Sequence, residues 1–195
     1  MRVPIPDPID SYAPGLAEIV AKTSWLPNPA IVAALSGAVF PTVRARAGRP
    51  RLSSIEQGGA AVGMHDDNAT PEWAMFWAHD LEGTRPKGWT IAHVWPVSDD
   101  IRYYTHLANL VMVCEPFASL TDKRGPLTEF LRWHAWQTYR WRPEKEMEPT
   151  KPRGYDAIQW RYLPAVENPR GLIQERLKLV NNQRARILRP IMRVT

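Results

Sequence analysis

The chain is poor in cysteine and in histidine. It contains 1 cysteine, Cys114, and 5 histidines among its 195 residues. A single thiol excludes an intramolecular disulfide and a zinc site built from several cysteines of one chain, so we expect no structural zinc. Each of the few imidazoles is then worth examining for acid–base chemistry near neutral pH.

Long apolar runs are also missing. The longest, AIVAALSGAVF at residues 30–40, falls well short of the ~20 residues that span a bilayer. The opening MRVPIPDPID has no basic-then-apolar pattern of a secretory signal. We therefore expect a soluble cytoplasmic protein without a membrane partner.

Positive charge is unevenly distributed. Residues 1–122 hold 9 Lys and Arg against 13 Asp and Glu, whereas residues 123–195 hold 16 against 7. Such a basic part favours a polyanionic partner, most simply nucleic acid, although the same cations could merely solvate helix surfaces. A second basic cluster without an acid lies within residues 41–54. The nucleic-acid-binding residues predicted from both clusters are Arg44, Arg46, Arg49, Arg51, Arg176, Arg184 and Arg186.

The length fits one domain, and the apolar periodicity predicts an α+β fold that is mostly helical. Helices are predicted over residues 14–22, 29–39, 116–123, 126–141 and 170–189, with strands over 89–95 and 109–114. The basic segment 41–54 is predicted to be a loop or irregular arm. Three parts are expected within the domain: a helical segment with the basic arm (1–56), a core (57–142), and a proline-rich loop with a basic helix (143–195).

Residues 89–123 carry the most informative pattern, a strand, a polar loop, a second strand and a short helix. The string GWTIAHVWP at residues 88–96 places His93 in the middle of the first strand. The second strand opens with Asn109-Leu110. A lone histidine in an apolar strand is more often structural than catalytic, so its context decides its role.

His93, Pro96 and Asn109-Leu110, followed by a short helix, resemble the motif of the HNH, or ββα-metal, nucleases. The resemblance covers residues 89–123 and implies a hairpin and helix around one divalent metal ion, Mg²⁺ or Mn²⁺. In that motif His93 would be the general base. Asn109 would orient the imidazole or brace the hairpin.

The chain departs from this motif at the positions of metal ligands. Ala92 precedes the histidine, and Ala118 and Phe117 stand where the helix would offer a metal ligand and a zinc cysteine. Asp122 lies one helical turn beyond Ala118, which makes it the predicted metal ligand. The string His65-Asp66-Asp67-Asn68 either adds ligands to the same site or forms a turn before a helix that Thr70 caps.

Together these features predict a DNA-acting HNH-like endonuclease of restriction or phage-defence type, with RNA a less favoured substrate. A homodimer or a partner subunit would place a site on each strand or complete the site. Two alternatives stay open. One is an inactive, nuclease-derived module that binds nucleic acid; the other is a helical protein whose basic helix binds an acidic protein.

Overall fold

The structure is a computed structural model that describes residues 9–46, 50–83, 85–121 and 125–192, with side chains from residue 12 onward. It has the predicted α+β fold. The helices are α1 (Ile9–Thr23), α2 (Pro29–Leu35), α3 (Ala69–Ala78), α4 (Thr128–Tyr139), α5 (Pro169–Leu179) and α6 (Gln183–Met192). The strands are β1 (Thr42–Arg44), β2 (Ser53–Gln57), β3 (Ala60–Asp66), β4 (Trp89–His93) and β5 (Leu110–Cys114). Among the described helices, none combines the length and the apolarity needed to cross a membrane.

The β4–β5 hairpin lies at the centre of the core. Its strands are antiparallel, with His93 opposite Leu110 and Trp89 opposite Cys114. Side chains alternate between the two faces of a strand, and both faces of β5 are covered. Leu110 and Met112 therefore pack in one apolar cluster with α2, α3, α5 and α6, while Val111 and Val113 pack in a second cluster with α1 and α4. Burial on both faces explains the uninterrupted apolar run LVMVC.

The first cluster also unites the three parts expected from the sequence. It contains Ile31 from the first part, Met64 from the second and Ile173 from the third, all at most 2 % exposed. Side chains from all three parts thus share one cluster of the core. The hairpin and its loop are held from several sides by this shared packing.

The prediction of a loop or irregular arm over residues 41–54 is wrong at its two ends, which belong to β1 and β2, whereas the described residues between these strands are not in strands. Strand β1 pairs in parallel with β3, and β2 pairs with β3 in an antiparallel hairpin, which gives the strand order β1-β3-β2. Gly58 and Gly59, both with positive φ, form the two-residue turn of that hairpin. The register shifts between Ile55 and Glu56. This irregularity interrupts the alternation of side chains by which a strand is recognised in a sequence.

Three helix predictions also need correction. The basic C-terminal stretch forms two helices, because Val180 is extended and the Asn182 side chain accepts a hydrogen bond from Ala185 N at the start of α6. The short helix after β5 is a 3-10 helix, Glu115–Leu120. The N-cap of α3 is Asn68, not Thr70; the carboxylate of Asp66 accepts hydrogen bonds from both the N–H and the hydroxyl of Thr70.

Candidate functional site

His93, the predicted general base, is the last residue of β4 and is half-buried. Its Nε2 lies 2.9 Å from the carbonyl oxygen of Tyr104, and the two rings stack at 5.2 Å with an interplanar angle of 12°. A carbonyl oxygen only accepts hydrogen bonds, so Nε2 carries the proton. A neutral imidazole with its proton on Nε2 has its lone pair on Nδ1, which would then be the atom that acts as a base.

Asn109, the second predicted catalytic residue, is fully buried just before β5. Its Oδ1 accepts a hydrogen bond from Trp95 N at 2.8 Å, and its Nδ2 donates to the carbonyl oxygens of Tyr103 at 3.2 Å and Trp95 at 3.4 Å. One side chain therefore closes the loop between the strands at both of its ends. Because Tyr103 precedes Tyr104, Asn109 also fixes the carbonyl that holds His93.

A cavity of about 340 Å³ opens beside His93, and we call it the His93 pocket. Its polar lining consists of Arg44, Asn68, Glu72, Arg85, Thr90 and His93. Of the predicted site residues, His93 and Arg44 meet here. Asn68 belongs to the string offered as an addition to the site. Glu72 on α3 and Arg85 before β4 were missed because no fixed spacing links them to the histidine.

Charge in the His93 pocket is predominantly positive among the described residues. Arg44 is exposed and has no carboxylate within ion-pair distance in the described part of the chain. Arg85 faces Glu72 at 3.6 Å, with both side chains about one-third exposed, and its Nη1 donates to the Thr90 hydroxyl at 3.3 Å. The described lining of the pocket thus contains two guanidinium groups and one carboxylate.

Asn68 joins the pocket to the residue that holds His93. Its φ is +78°, in the left-handed region that asparagine tolerates better than most residues, and its side chain does not cap α3. Instead its Oδ1 accepts a hydrogen bond from the Tyr104 hydroxyl at 2.9 Å. Burial, and next the negative charge of Asp66, raise the pKa of Tyr104, so this hydroxyl stays protonated and can donate.

The lining of the His93 pocket bears on the expected metal site, which stays a prediction. Ala92 and Ala118, at the two positions where the resemblance places ligands, both line the His93 pocket, and a methyl group donates no electron pair. Within the described ranges no group of three or more His, Cys, Asp or Glu side chains could hold a metal ion. The predicted ligand, Asp122, lies outside the described residues. Glu72 is the carboxylate that the described lining offers, and it faces Arg85.

The string His65-Asp66-Asp67-Asn68 ends β3 and leads into α3, as a turn would. Asp66 is fully buried and accepts a hydrogen bond from Arg184 Nε at 2.8 Å, and Asp67 accepts a second from Arg184 Nη2. The guanidinium also lies 5.0 Å from the centre of the Trp73 ring. Arg184, predicted to bind nucleic acid, is therefore a buried ion-pair partner that joins α6 to β3.

The other predicted arginines are spread over the molecule. Arg176 pairs with Asp80 at 2.7 Å and also donates to a backbone carbonyl, whereas Arg186 is exposed and contacts Asn181 at 3.4 Å. Arg46 pairs with Asp99 at 3.0 Å with both side chains exposed, and Arg51 is exposed. Arg49 lies outside the described residues. Only Arg44 of these described arginines lines the His93 pocket.

Three other histidines are buried and structural. His79 accepts a hydrogen bond from Asn28 N at 3.0 Å and donates one to the Met75 carbonyl at 2.7 Å, which ties α2 to α3. His106 caps a 3-10 turn and stacks on Trp141, and His134 bonds two tyrosine hydroxyls. Desolvation lowers the pKa of all three, to about 4 for His79 and His106 and to about 3 for His134.

Comparison with known proteins identifies no relative of this chain. No family model matches the chain, and neither a curated protein nor a solved structure is significantly similar to it.

Proposed function

We propose that this protein is a DNA-acting, HNH-like endonuclease that hydrolyses phosphodiester bonds with His93 as the general base. The observation that carries the proposal is the 2.9 Å hydrogen bond from His93 Nε2 to the Tyr104 carbonyl, at the edge of a pocket that also contains Arg44. The bond sets both the tautomer and the orientation of the imidazole. A base held in this way is ready to take a proton without first reorganising.

The proposed step uses water as the second reactant. Nδ1 of His93 takes one proton from the water, whose oxygen attacks the phosphorus atom and forms a new P–O bond. The ester P–O bond on the opposite side breaks, and the leaving oxygen takes a proton from the solvent. Arg44 would stabilise the negative charge that grows on the phosphate oxygens.

Duplex DNA is the proposed partner because Arg44, an exposed cation, lines this pocket, and two further exposed arginines follow it in the chain. Arg44 ends β1 in the pocket, Arg46 lies two residues further along, and Arg51 lies just before β2. Side chains of this kind contact phosphates without reading sequence. The proposal includes a requirement for Mg²⁺ or Mn²⁺, which the cleavage assay measures. No step described above is assigned to a metal ion.

A second candidate is a nuclease-derived module that binds nucleic acid without cutting it. The observation in its favour is that Ala92 and Ala118 line the pocket beside His93. A nuclease that has lost its metal-dependent activity would lack metal ligands at these two positions. The basic pocket would then retain affinity for phosphate alone.

Plasmid cleavage separates the two candidates. Supercoiled DNA is incubated with the wild-type protein and with His93→Ala, in Mg²⁺, in Mn²⁺ and in EDTA. The nuclease predicts nicked or linear product with the wild type and a loss of about 10²-fold or more in His93→Ala, the usual contribution of a general base. Salt-sensitive binding without cutting favours the module, and neither cutting nor binding contradicts both. Thermal unfolding of His93→Ala confirms that the variant is folded.

A further inference from the structure

We infer that Arg85 and Arg44 together hold one DNA phosphate in the His93 pocket, and that Glu72 holds Arg85 when no phosphate is bound. The inference rests on the proposed function for the identity of the ligand, a nucleic acid. It adds two residues, Arg85 and Glu72, to which the motif resemblance gives no role. It also predicts opposite effects when each is replaced.

The Arg85–Glu72 contact is loose compared with other ion pairs in the molecule. Arg85 Nη1 lies 3.6 Å from Glu72 Oε2, whereas Arg184 Nε lies 2.8 Å from Asp66 Oδ1 and Arg176 Nη2 lies 2.7 Å from Asp80 Oδ1. Charge-assisted hydrogen bonds of good geometry are about 2.7–2.9 Å long. The Arg85–Glu72 pair is therefore an attraction between charges that a better acceptor can displace.

Arg85 also has unused donors. Its contacts with Glu72 and with the Thr90 hydroxyl both involve Nη1, and the Thr90 bond is long at 3.3 Å. Within the described residues, Nε and Nη2 make no hydrogen bond. A guanidinium has five N–H donors in a fork that matches two phosphate oxygens, so the larger part of its capacity is available to a ligand.

Charge balance favours an anion in this pocket. Among the described lining residues, Arg85 pairs with the single carboxylate, Glu72, and the positive charge of Arg44 is left without a partner. A phosphodiester carries one negative charge and would balance it. Asn68 adds a neutral donor to the same lining, since its Oδ1 is engaged by the Tyr104 hydroxyl and its Nδ2 keeps two N–H groups.

The roles of Arg85 and Glu72 then follow. When DNA is absent, Glu72 lies against Arg85 and keeps its side chain at the pocket. When a phosphate enters, it competes with Glu72 for Arg85 and brings Arg44 to the opposite side of the same anion. Glu72 therefore opposes binding, while Arg85 and Arg44 favour it.

Binding of a fluorescent duplex oligonucleotide tests this directly. The affinity is measured by anisotropy in EDTA, which suppresses metal-dependent cutting, at several salt concentrations between about 50 and 200 mM. Arg85→Ala should weaken binding roughly three- to ten-fold and reduce the slope of log K against log salt by about 0.9, the value for one phosphate contact. Glu72→Gln should tighten binding about two- to five-fold, and Arg85→Lys should keep the slope because it keeps the charge.

Arg161→Ala is the matched control, because Arg161 is exposed, lies over Trp25 and does not line the His93 pocket. It should leave the slope unchanged. Thermal unfolding of every variant checks that it is folded. An unchanged slope in Arg85→Ala, or weaker binding in Glu72→Gln, would overturn the inference.

This result is separable from the test of the nuclease. Loss of cutting in His93→Ala together with an unchanged slope in Arg85→Ala keeps the proposed function and rejects the phosphate site. An absence of cutting together with the expected shifts in Arg85→Ala and Glu72→Gln rejects hydrolysis and keeps the phosphate site.

Discussion

His93 and Tyr104 are joined by two contacts: the imidazole Nε2 lies 2.9 Å from the Tyr104 carbonyl oxygen, and the two rings stack at 5.2 Å. The first contact is made to the backbone, so no substitution of the tyrosine side chain removes it directly. The position of that carbonyl depends on the fold of the loop between β4 and β5. Residues that hold the loop therefore hold the imidazole.

Asn109 is the residue that most clearly holds the loop. In Asn109→Ala three hydrogen bonds are lost, and the buried N–H of Trp95 is left without its acceptor. We expect a decrease in the free energy of unfolding of about 2–3 kcal/mol, measured in urea. Cutting should fall, whereas binding of duplex DNA should not, since Asn109 does not line the His93 pocket.

Asn181→Ala serves as the control for this measurement. Asn181 is exposed and accepts one long contact from Arg186 at 3.4 Å. Its replacement should change the free energy of unfolding by no more than about 0.5 kcal/mol. Equal effects of the two substitutions would show that Asn109 does not brace the loop.

The Arg184 ion pair gives a second prediction. Arg184→Met leaves the buried carboxylate of Asp66 without its partner, and we expect a loss of about 3–5 kcal/mol in the free energy of unfolding. The double variant Arg184→Met with Asp66→Asn should lose less than the single variant, because the fully buried carboxylate is then gone and the one left, Asp67, is partly exposed. Arg186→Ala, on the same helix but exposed, should have little effect. A similar stability for Arg184→Met and Arg186→Ala would contradict the buried pair.

Stability should fall in mildly acidic solution. Burial lowers the pKa of His79 and His106 to about 4 and that of His134 to about 3, whereas imidazoles in an unfolded chain titrate near 6.5. Between these values the unfolded chain binds more protons than the folded one, so the contribution of the three groups is complete above about pH 6.5 and decreases towards pH 4. At about 1.4 kcal/mol for each pKa unit, His79 and His106 each contribute roughly 3 kcal/mol and His134 roughly 5 kcal/mol.

Tryptophan fluorescence in urea between pH 7.5 and 4.5 measures this dependence. The slope of unfolding free energy against pH should approach the uptake of about three protons, and in His134→Gln about two. A free energy of unfolding that does not change with pH over this range would show that these histidines are not buried in their neutral form.

The sequence predicted those parts of the fold whose signals are local. The apolar run LVMVC and the string around His93 are strands, and the long periodic stretch after residue 126 is helix α4. The β1-β3-β2 sheet was missed because β1 has only three residues and pairs with the more distant β3, and because a register shift interrupts the β2–β3 hairpin. No local pattern could reveal that Arg184 is buried, since Asp66 lies 118 residues away.

The residues of the candidate site also divide into those that a local sequence pattern predicts and those that it does not. His93 and Asn109 could be predicted as candidates because they belong to one continuous motif, and the hairpin pairs His93 with Leu110, the residue after Asn109. Glu72 and Arg85 reach the His93 pocket from two other segments, so their proximity depends on how α3 packs against β4. The Ala92 and Ala118 departures were visible in the sequence, but their shared position in the pocket needed the fold.

Chemical rescue gives the most direct test that the imidazole of His93 is the base. Cleavage of duplex DNA is measured with folded His93→Ala, which leaves a cavity, and with His93→Gln, which fills the space, each with and without added imidazole. If His93 is the base, both variants cut at least about 10²-fold more slowly than the wild type, and imidazole restores cutting in His93→Ala alone. Cutting by His93→Ala at the wild-type rate would contradict it.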